Sequence, residues 1–584
     1  MFRYGISEED EHVLHLMASV EKFKEMHLNH DNVPLSPKQD AKKVVPDKPI
    51  EIPSNDVERL KDNNAGINEL SPKQDDEEVT LEVVSDQSDQ HSLAGLSCEK
   101  YGGPEDASEM VYWSDITSDA SFESPFHAKH DQGDRPMYMT FEPDGGGWNN
   151  IRMAMETVVV MAHAMGRTLV IPPGQGMYLL RKDKGKQNIH FSFADFFHLD
   201  SLDREHEGID IITTEEFLLR EAMTGHLVDK HTGIVSFPPE NRTNWDGQDP
   251  KPLKEWLRNV THTPLWKPES CLAVIPASAD ASDTDELHAM KDEILKDMPS
   301  PADYIGKPGP VDGSPIDRMK EILADRRRLC MYDEEMQAAP VIHFMCYHKM
   351  RVRLLVHFYA FLFFQDWRQD LWTKRFVRDH LRYLDELQCA AARIVQAIRE
   401  KARKRDPEGN PEGLFDSFHI RRGDFQYKNT RLEADEIYKN SNDVLTENAT
   451  VFIATDQGKK DFFNPLKAHY DVYFLDDFKH LLGGFNTNYY GMIDQLIASK
   501  GRVFVGTYHS TFTGFINRMR GYYAEKHKLQ GYEEGIIDSY YFAPIGQKFV
   551  MRDYVPVKQA FYAREFPASW RDIDKGVGEL TSNN

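Results

Sequence analysis

The sequence predicts an α/β protein built from two doubly wound domains that face a cleft. Two separate runs, one starting near Met137 and one near Phe415, alternate short apolar strands with helical patterns, the arrangement of parallel sheets covered by helices. The loops after these strands collect Gly, Asn, Asp, Ser, Thr and Arg, and ligands of doubly wound sheets lie beyond the carboxyl ends of strands. The chain before the first run carries too little apolar material to fold. These observations divide the 584 residues into an acidic, disordered region over 1–130, a first domain with an insertion and a helical block over 131–405, a second doubly wound domain over 406–560, and a tail over 561–584.

Charge supports the first boundary. Residues 1–135 hold 30 acidic and 13 basic side chains, against 65 and 57 in the remaining 449. A segment so polar and so charged cannot offset the entropy of ordering. The folded remainder is only mildly acidic, which excludes a nucleic-acid-binding surface by composition and requires any phosphate to be met by a local cluster. Leu35-Ser36-Pro37-Lys38-Gln39-Asp40 recurs as Leu70-Ser71-Pro72-Lys73-Gln74-Asp75, a short near-repeat with Ser-Pro steps, read as a solvated duplication in preference to a phosphorylated or docking motif. Phe2 to Met26 has the pattern of one amphipathic helix, with charges that exclude a secretory apolar core or a membrane span.

The first run opens with a strand at Met137–Phe141. A Gly-rich turn, Pro143 to Asn150, leads into a helix from Ile151 to about Met165 and a strand over Thr168–Ile171. Gly145, Gly146 and Gly147 allow close backbone approach to a ligand, and the helix start behind them offers N–H groups and a positive dipole end. Without the Lys-Ser/Thr of a P-loop or the spacing of a dinucleotide fingerprint, the turn fits neither motif. A long irregular insertion is expected over about 240–335, then a helical block over about 347–402 with a strong helix at Asp385–Arg405. The most apolar run, Leu354 to Phe364, is too short for a bilayer and is expected to be a core helix. The five cysteines contain no CxxC, so zinc is not expected, whereas one or two long-range disulfides are compatible with them. Asn241, Asn259 and Asn448 head glycosylation triplets.

The second run reads as a strand over Leu414–Phe418, further strands over Val451–Ala454, Val472–Leu475 and Val503–Val505, and helices over about Gly491–Ser499 and Phe512–Tyr523. Its first strand runs out into His419-Ile420-Arg421-Arg422-Gly423-Asp424. Alternation sends His419 and Arg421 to one side and Ile420 and Arg422 to the other, so one guanidinium faces a ligand while the other pairs structurally. A guanidinium is permanently charged and grips a diphosphate through parallel hydrogen bonds, which suits it to a departing nucleoside diphosphate. An Arg–Asp ion-pair network at a strand end is the competing structural explanation.

Taken together, Gly145-Gly-Gly-Trp-Asn-Asn-Ile-Arg152, Arg353 to Tyr359, Arg375 to His380, His419 to Phe425, Ala454-Thr-Asp456 and Ser510 to Arg520 resemble the GDP-fucose protein O-fucosyltransferases, in collinear order over about 136–545. The resemblance implies two Rossmann-like domains of the GT-B type and an inverting transfer of fucose from GDP-fucose that uses no metal or other cofactor. By position, Arg421 would hold the diphosphate and dominate catalysis. His419 would contact the nucleotide. Asn149 would reach the donor phosphate or the reacting centre, with Gly146 and Gly147 beside it. Asp494 would read guanine, Ser510, Thr511 and Phe512 would form the phosphate-binding helix start, and Asp456 would be a lesser member of the nucleotide pocket.

One branch of the family has Glu where this chain has Gly146, so the resemblance assigns no general base. Asp424 has the chemistry of one, but its position fits pairing with Arg421 or Arg422. Asp283/Asp285 and Asp572/Asp574 have the carboxylate spacing of metal-dependent glycosyltransferases without the strand context. The expected acceptor is a Ser or Thr hydroxyl of a protein. A glycan acceptor, another deoxysugar donor such as that of a rhamnosyltransferase, and a non-catalytic sugar- or nucleotide-binding role are the alternatives. The resemblance implies the ER or Golgi, while the sequence displays no signal or transmembrane segment, so secretory and cytoplasmic locations both stay open.

Overall fold

A computed structural model describes residues 95–553 and 572–574, apart from 104–106, 113–116, 128–134, 178–179, 181–189, 298–308, 324–325, 424, 533–536 and 546–547. The expected helix at Phe2–Met26, the Ser-Pro repeat and Asp424 lie outside the described residues. In chain order the strands are β1 (Tyr138–Phe141), β2 (Thr168–Ile171), β3 (Ile211–Thr213), β4 (Cys271–Ile275), β5 (Arg328–Met331), β6 (Val341–Phe344), β7 (Leu362–Phe364), β8 (Asp416–Ile420), β9 (Thr450–Thr455), β10 (Asp471–Tyr473), β11 (Phe504–Thr507), β12 (Ser539–Ile545) and β13 (Lys548–Asp553). The helices that matter below are α1 (Trp148–Ala164), α2 (Ala281–Asp297), α3 (Trp367–Asp379), α4 (Asp385–Arg405), α5 (Tyr490–Ala498) and α6 (Thr511–Lys526).

These strands form three sheets. A four-stranded parallel sheet has the order β3-β2-β1-β6, and a six-stranded sheet has the order β10-β9-β8-β11-β12-β13, parallel except at β13. The inner strands of both are buried on both faces, as parallel strands covered by helices must be, although β8 carries Asp416, Ser417 and His419 there. Helix α1 is buried along its whole length except at Asn150: most of its residues are apolar, and its two charged ones, Arg152 and Glu156, pair with each other.

The third sheet, β5-β4-β7, corrects two expectations. The region read as an irregular insertion holds two parallel strands and the long helix α2, and Cys271–Ile275 is buried at every position. The apolar run expected to be a core helix instead makes a turn of 3-10 helix at Phe358–Ala360 and then β7, which pairs with β4 through Ala273↔Leu362 and Ile275↔Phe364. A short apolar run has no period with which to tell strand from helix, and here strand pairing decided it.

The expected disorder over 1–130 also ends too late. Residues 95–127 hold Cys98, bridged to Cys389 of α4 across 291 positions, and Phe126, 2% exposed. The carboxylate of Asp119 pairs with Arg375 at 2.5 Å and its carbonyl accepts from Trp372 Nε1 at 2.9 Å, both on α3. Average composition hides such anchors, since a few large side chains and one disulfide suffice to order a polar segment. A second disulfide, Cys271–Cys330, ties β4 to β5.

Candidate active site

At the carboxyl end of β8, His419 sits inside the strand rather than beyond it, opposite Ala454 of β9 and Gly506 of β11. Its ring lies on Phe512, centroids 4.3 Å apart and 23° from parallel, and its Nδ1 is 2.8 Å from Thr513 Oγ1. Gly506 is needed for this approach, because a Cβ there would collide with the Thr513 side chain. Burial, helped by the charge of Arg421, pushes His419 down to about 3. The imidazole is therefore neutral at physiological pH.

Past the strand the two arginines diverge, as alternation requires. Arg422 donates to Glu433 at 3.0 Å and lies 4.1 Å over the Phe462 ring, a structural role. Arg421 is about one-fifth exposed and pairs with Asp456 at 2.7 Å. Asp456 also accepts from the backbone N–H groups of Arg422 and Gly423 at 2.7 and 2.8 Å, so this carboxylate organises the whole turn. Thr507 joins the ends of two strands, accepting from Arg421 N and donating to the His419 carbonyl, both at 3.0 Å. An Arg–Asp pair is thus present, and it orients the guanidinium.

Ser510 is the N-cap of α6, and its side chain makes no capping hydrogen bond. The first N–H groups of a helix have no intrahelical partner, and together with the positive dipole end they suit an anion. Thr511 Oγ1 donates to Asn150 Oδ1 at 3.0 Å, linking this helix start to the Gly-rich turn after β1. In that turn Asp144 accepts from Gly146 N at 2.7 Å and receives two hydrogen bonds of 2.8 Å from Arg353. A Cβ at position 146 would press on the Asn150 amide and the Asp144 carboxylate, so a side chain there requires these two groups to move. Gly147 caps α1 in extended backbone, and Asn149, in the first turn, is 8% exposed and accepts at Oδ1 from Gln495 Nε2 at 2.9 Å.

Asp494 lies on α5 one turn after Gly491, whose face meets the edge of the Phe512 ring. Its Oδ1 is sealed from solvent and has no hydrogen-bond partner. Burial raises this carboxyl well above the usual range, with Lys460 opposing and Asp476 adding to the shift. Lack of a partner for a buried carboxylate oxygen is costly, and a ligand presenting N–H groups would supply one.

The structure therefore brings His419, Arg421, Asp456, Ser510, Thr511 and Phe512 to one sheet edge, and links Gly146, Gly147, Asn149 and Asp494 to it through Thr511 and Gln495. Thr507, Thr513 and Gln495 were missed as site residues. Thr513 and Gln495 lie within two positions of residues singled out, and a helical neighbour of a binding residue is the only signal the sequence offered for them.

Among the described residues, Asp144, Cys346 and His348 bring donor atoms within 4.8 Å of one another. Arg353 already holds both Asp144 oxygens, its Nη1 lies 3.1 Å from His348 Nδ1, and burial with the Asp144 charge pushes the Cys346 thiol up to about 11. A guanidinium stands where a cation would. The other carboxylate pairs have structural roles: Asp283 accepts from Ser278 in the first turn of α2, Asp572 accepts from Val311 N at 3.0 Å, and Asp574 pairs with Lys528 at 2.8 Å. No described helix is long and apolar enough to cross a membrane.

Residues 138–523 match the family model described as GDP-fucose protein O-fucosyltransferase. Among solved structures, POFUT1 in complex with GDP-fucose aligns at 13% identity over 67% of this chain and 95% of that one, with a TM-score of 0.29. The fucosyltransferase NodZ from Bradyrhizobium aligns at 12% identity over 72% and 99%, TM-score 0.30, and a mutant of Arabidopsis thaliana FUT1 in complex with GDP at 10% over 72% and 74%, TM-score 0.30. No curated protein sequence matches this chain.

Proposed function

The chain belongs to the GDP-fucose protein O-fucosyltransferase family, and on that premise we propose that it transfers fucose from GDP-fucose to a Ser or Thr hydroxyl of a protein, with inversion and without a metal ion. The acceptor oxygen attacks the anomeric carbon as the bond to the diphosphate breaks, and GDP leaves with its added negative charge. Arg421 stabilises that charge, assisted by the N–H groups at the start of α6 and by Asn149. A well-stabilised leaving group lets the sugar become oxocarbenium-like, so the hydroxyl needs no strong base and gives up its proton late in the step, to water or to an oxygen of the departing diphosphate. Asp494 accepts from the N–H edge of guanine, and His419 contacts the nucleotide as a neutral ring.

The observation that carries this reading is the joint placement of a fixed guanidinium and an uncapped helix start at the carboxyl end of one sheet, with the half-buried Asp494 on the adjacent helix, whose Oδ1 is sealed from solvent without a hydrogen-bond partner. Such a set matches a diphosphate joined to a base rich in N–H donors. The two larger sheets correspond in this reading to the GT-B pair of domains, 131–405 and 406–560. Two disulfides suit an oxidising compartment, which favours the secretory route.

The test is release of GDP from GDP-fucose by the full chain with EDTA present, beside GDP-mannose and UDP-sugars. The expected result is turnover of GDP-fucose alone, lowered about 10²–10³-fold or more in Arg421→Ala. Metal dependence or preference for a UDP-sugar would reject the proposal.

A further inference from the structure

Gln495 lies on α5 directly after Asp494 and is fully buried. It is the middle of a hydrogen-bonded chain that starts in the Gly-rich turn and returns to it. Trp148 Nε1 donates to Tyr383 OH at 3.0 Å, and Tyr383 OH donates to Gln495 Oε1 at 3.1 Å. Gln495 Nε2 then donates to Asn149 Oδ1 at 2.9 Å and to the Phe512 carbonyl at 3.4 Å. Trp148, Tyr383 and Asn149 are all buried.

The direction of this chain is fixed at both ends. An indole N–H can only donate, so the Tyr383 oxygen accepts there and has its single proton left for Gln495. Burial keeps that proton in place by pushing Tyr383 up to about 12. A backbone carbonyl can only accept, so Phe512 independently demands the nitrogen end of the Gln495 amide. With its nitrogen so placed, Gln495 can serve Asn149 only as a donor. The Asn149 amide must therefore keep its oxygen inward, which leaves Nδ2, without a partner among the described residues, as the group offered to a ligand. Amide ends are ordinarily ambiguous, but here the network decides between them.

We propose that Gln495 is a positioning residue that sets the polarity of Asn149, so that Asn149 presents N–H donors, and never its carbonyl, to the donor diphosphate. This deepens the proposed function and rests on it. The arrangement also couples three elements that meet at the ligand: α5 with Asp494, α1 with Asn149, and the start of α6 through Phe512. Turning the Asn149 amide over would set a carbonyl oxygen against phosphate oxygens, replacing an attraction with a repulsion.

Gln495→Glu tests this in the full chain. A carboxylate of the same shape still accepts from Tyr383 but can only accept from Asn149, so Asn149 must turn its N–H inward. By calorimetry, GDP is expected to bind about tenfold or more weakly, as when a hydrogen bond to a charged group is lost, while guanosine, which has no phosphate, binds as in the wild type. Placed on an Asn149→Ala background, Gln495→Glu is expected to add no further loss. Three results would overturn the proposal: unchanged GDP affinity, an equal loss for guanosine, or a full loss that persists on the Asn149→Ala background, where the new charge acts directly. If Gln495→Glu fails to fold, Gln495→Met is expected to weaken GDP but not guanosine, again only while Asn149 is present, and equal losses would overturn the proposal in the same way. Failure of the wild type to bind GDP at all would instead bring down the proposed function, and this inference with it.

Discussion

Asp494 and Arg421 show how differently two charged residues of one site are prepared. Arg421 is held in an ion pair by Asp456, whereas Asp494 is raised because burial disfavours its ionised form. For a carboxyl raised on folding, ionisation works against the fold in full above its raised pKa, and the penalty shrinks as pH falls from that value to the unfolded-state one. Guanine N–H groups favour the ionised form, so GDP affinity is expected to weaken as pH drops through the Asp494 titration, an effect that calorimetry across pH would detect. Asp494→Asn is expected to raise the melting temperature of the free protein, abolish that pH dependence and weaken GDP about tenfold or more. A variant that binds GDP like the wild type with the same pH profile would exclude Asp494 from the base pocket. At this scale the sequence was informative where side chains alternate. His419 and Arg421 share a side and Arg422 lies opposite, as the strand period requires. The partner of Arg421 was not legible, since Asp456 lies on a neighbouring strand end and only sheet register brings the two together.

Elements with a clear period were legible to within a few residues. Helices α4, α5 and α6 and strands β1, β2 and β9 appear where apolar spacing puts them. The third sheet was not legible, because β7 belongs to an apolar run without a period and β4 pairs with partners far away in sequence. Site residues are absent from that sheet, and its Cys271–Cys330 bridge closes a 59-residue separation. Replacing both cysteines with Ala is expected to cost about 2–4 kcal/mol in denaturant unfolding. GDP affinity is expected to stay unchanged, and a concerted loss of affinity would tie the sheet to the site.

On the scale of the whole molecule, one buried charge cluster joins the two larger sheets. Glu156 of α1 receives Arg518 of α6 through bonds of 2.7 and 3.0 Å and also pairs with Arg152, and all three are at most 1% exposed. Burial alone would raise Glu156, but the two guanidiniums hold it below the usual carboxylate range. The stability it confers is complete above the unfolded-state pKa and is lost as pH falls through the lowered one. Glu156→Gln strands two guanidiniums and is expected to cost about 3–5 kcal/mol, measured by urea unfolding at neutral pH. Asn241, Asn259 and Asn448 are exposed, so protein from its native source is expected to carry glycan mass at one or more of them if it matures in the secretory route. Their exposure could not be read from sequence, because a three-residue triplet says nothing of burial.

In the proposed reaction the end of β8 and the start of α6 together grip the diphosphate of GDP-fucose. A crystal structure of the full chain with GDP tests it most directly. The diphosphate is expected within hydrogen-bonding distance of the Arg421 guanidinium and of the N–H groups of Thr511 and Phe512, with guanine against Asp494. GDP seated elsewhere, or a diphosphate that Arg421 does not touch, would contradict it.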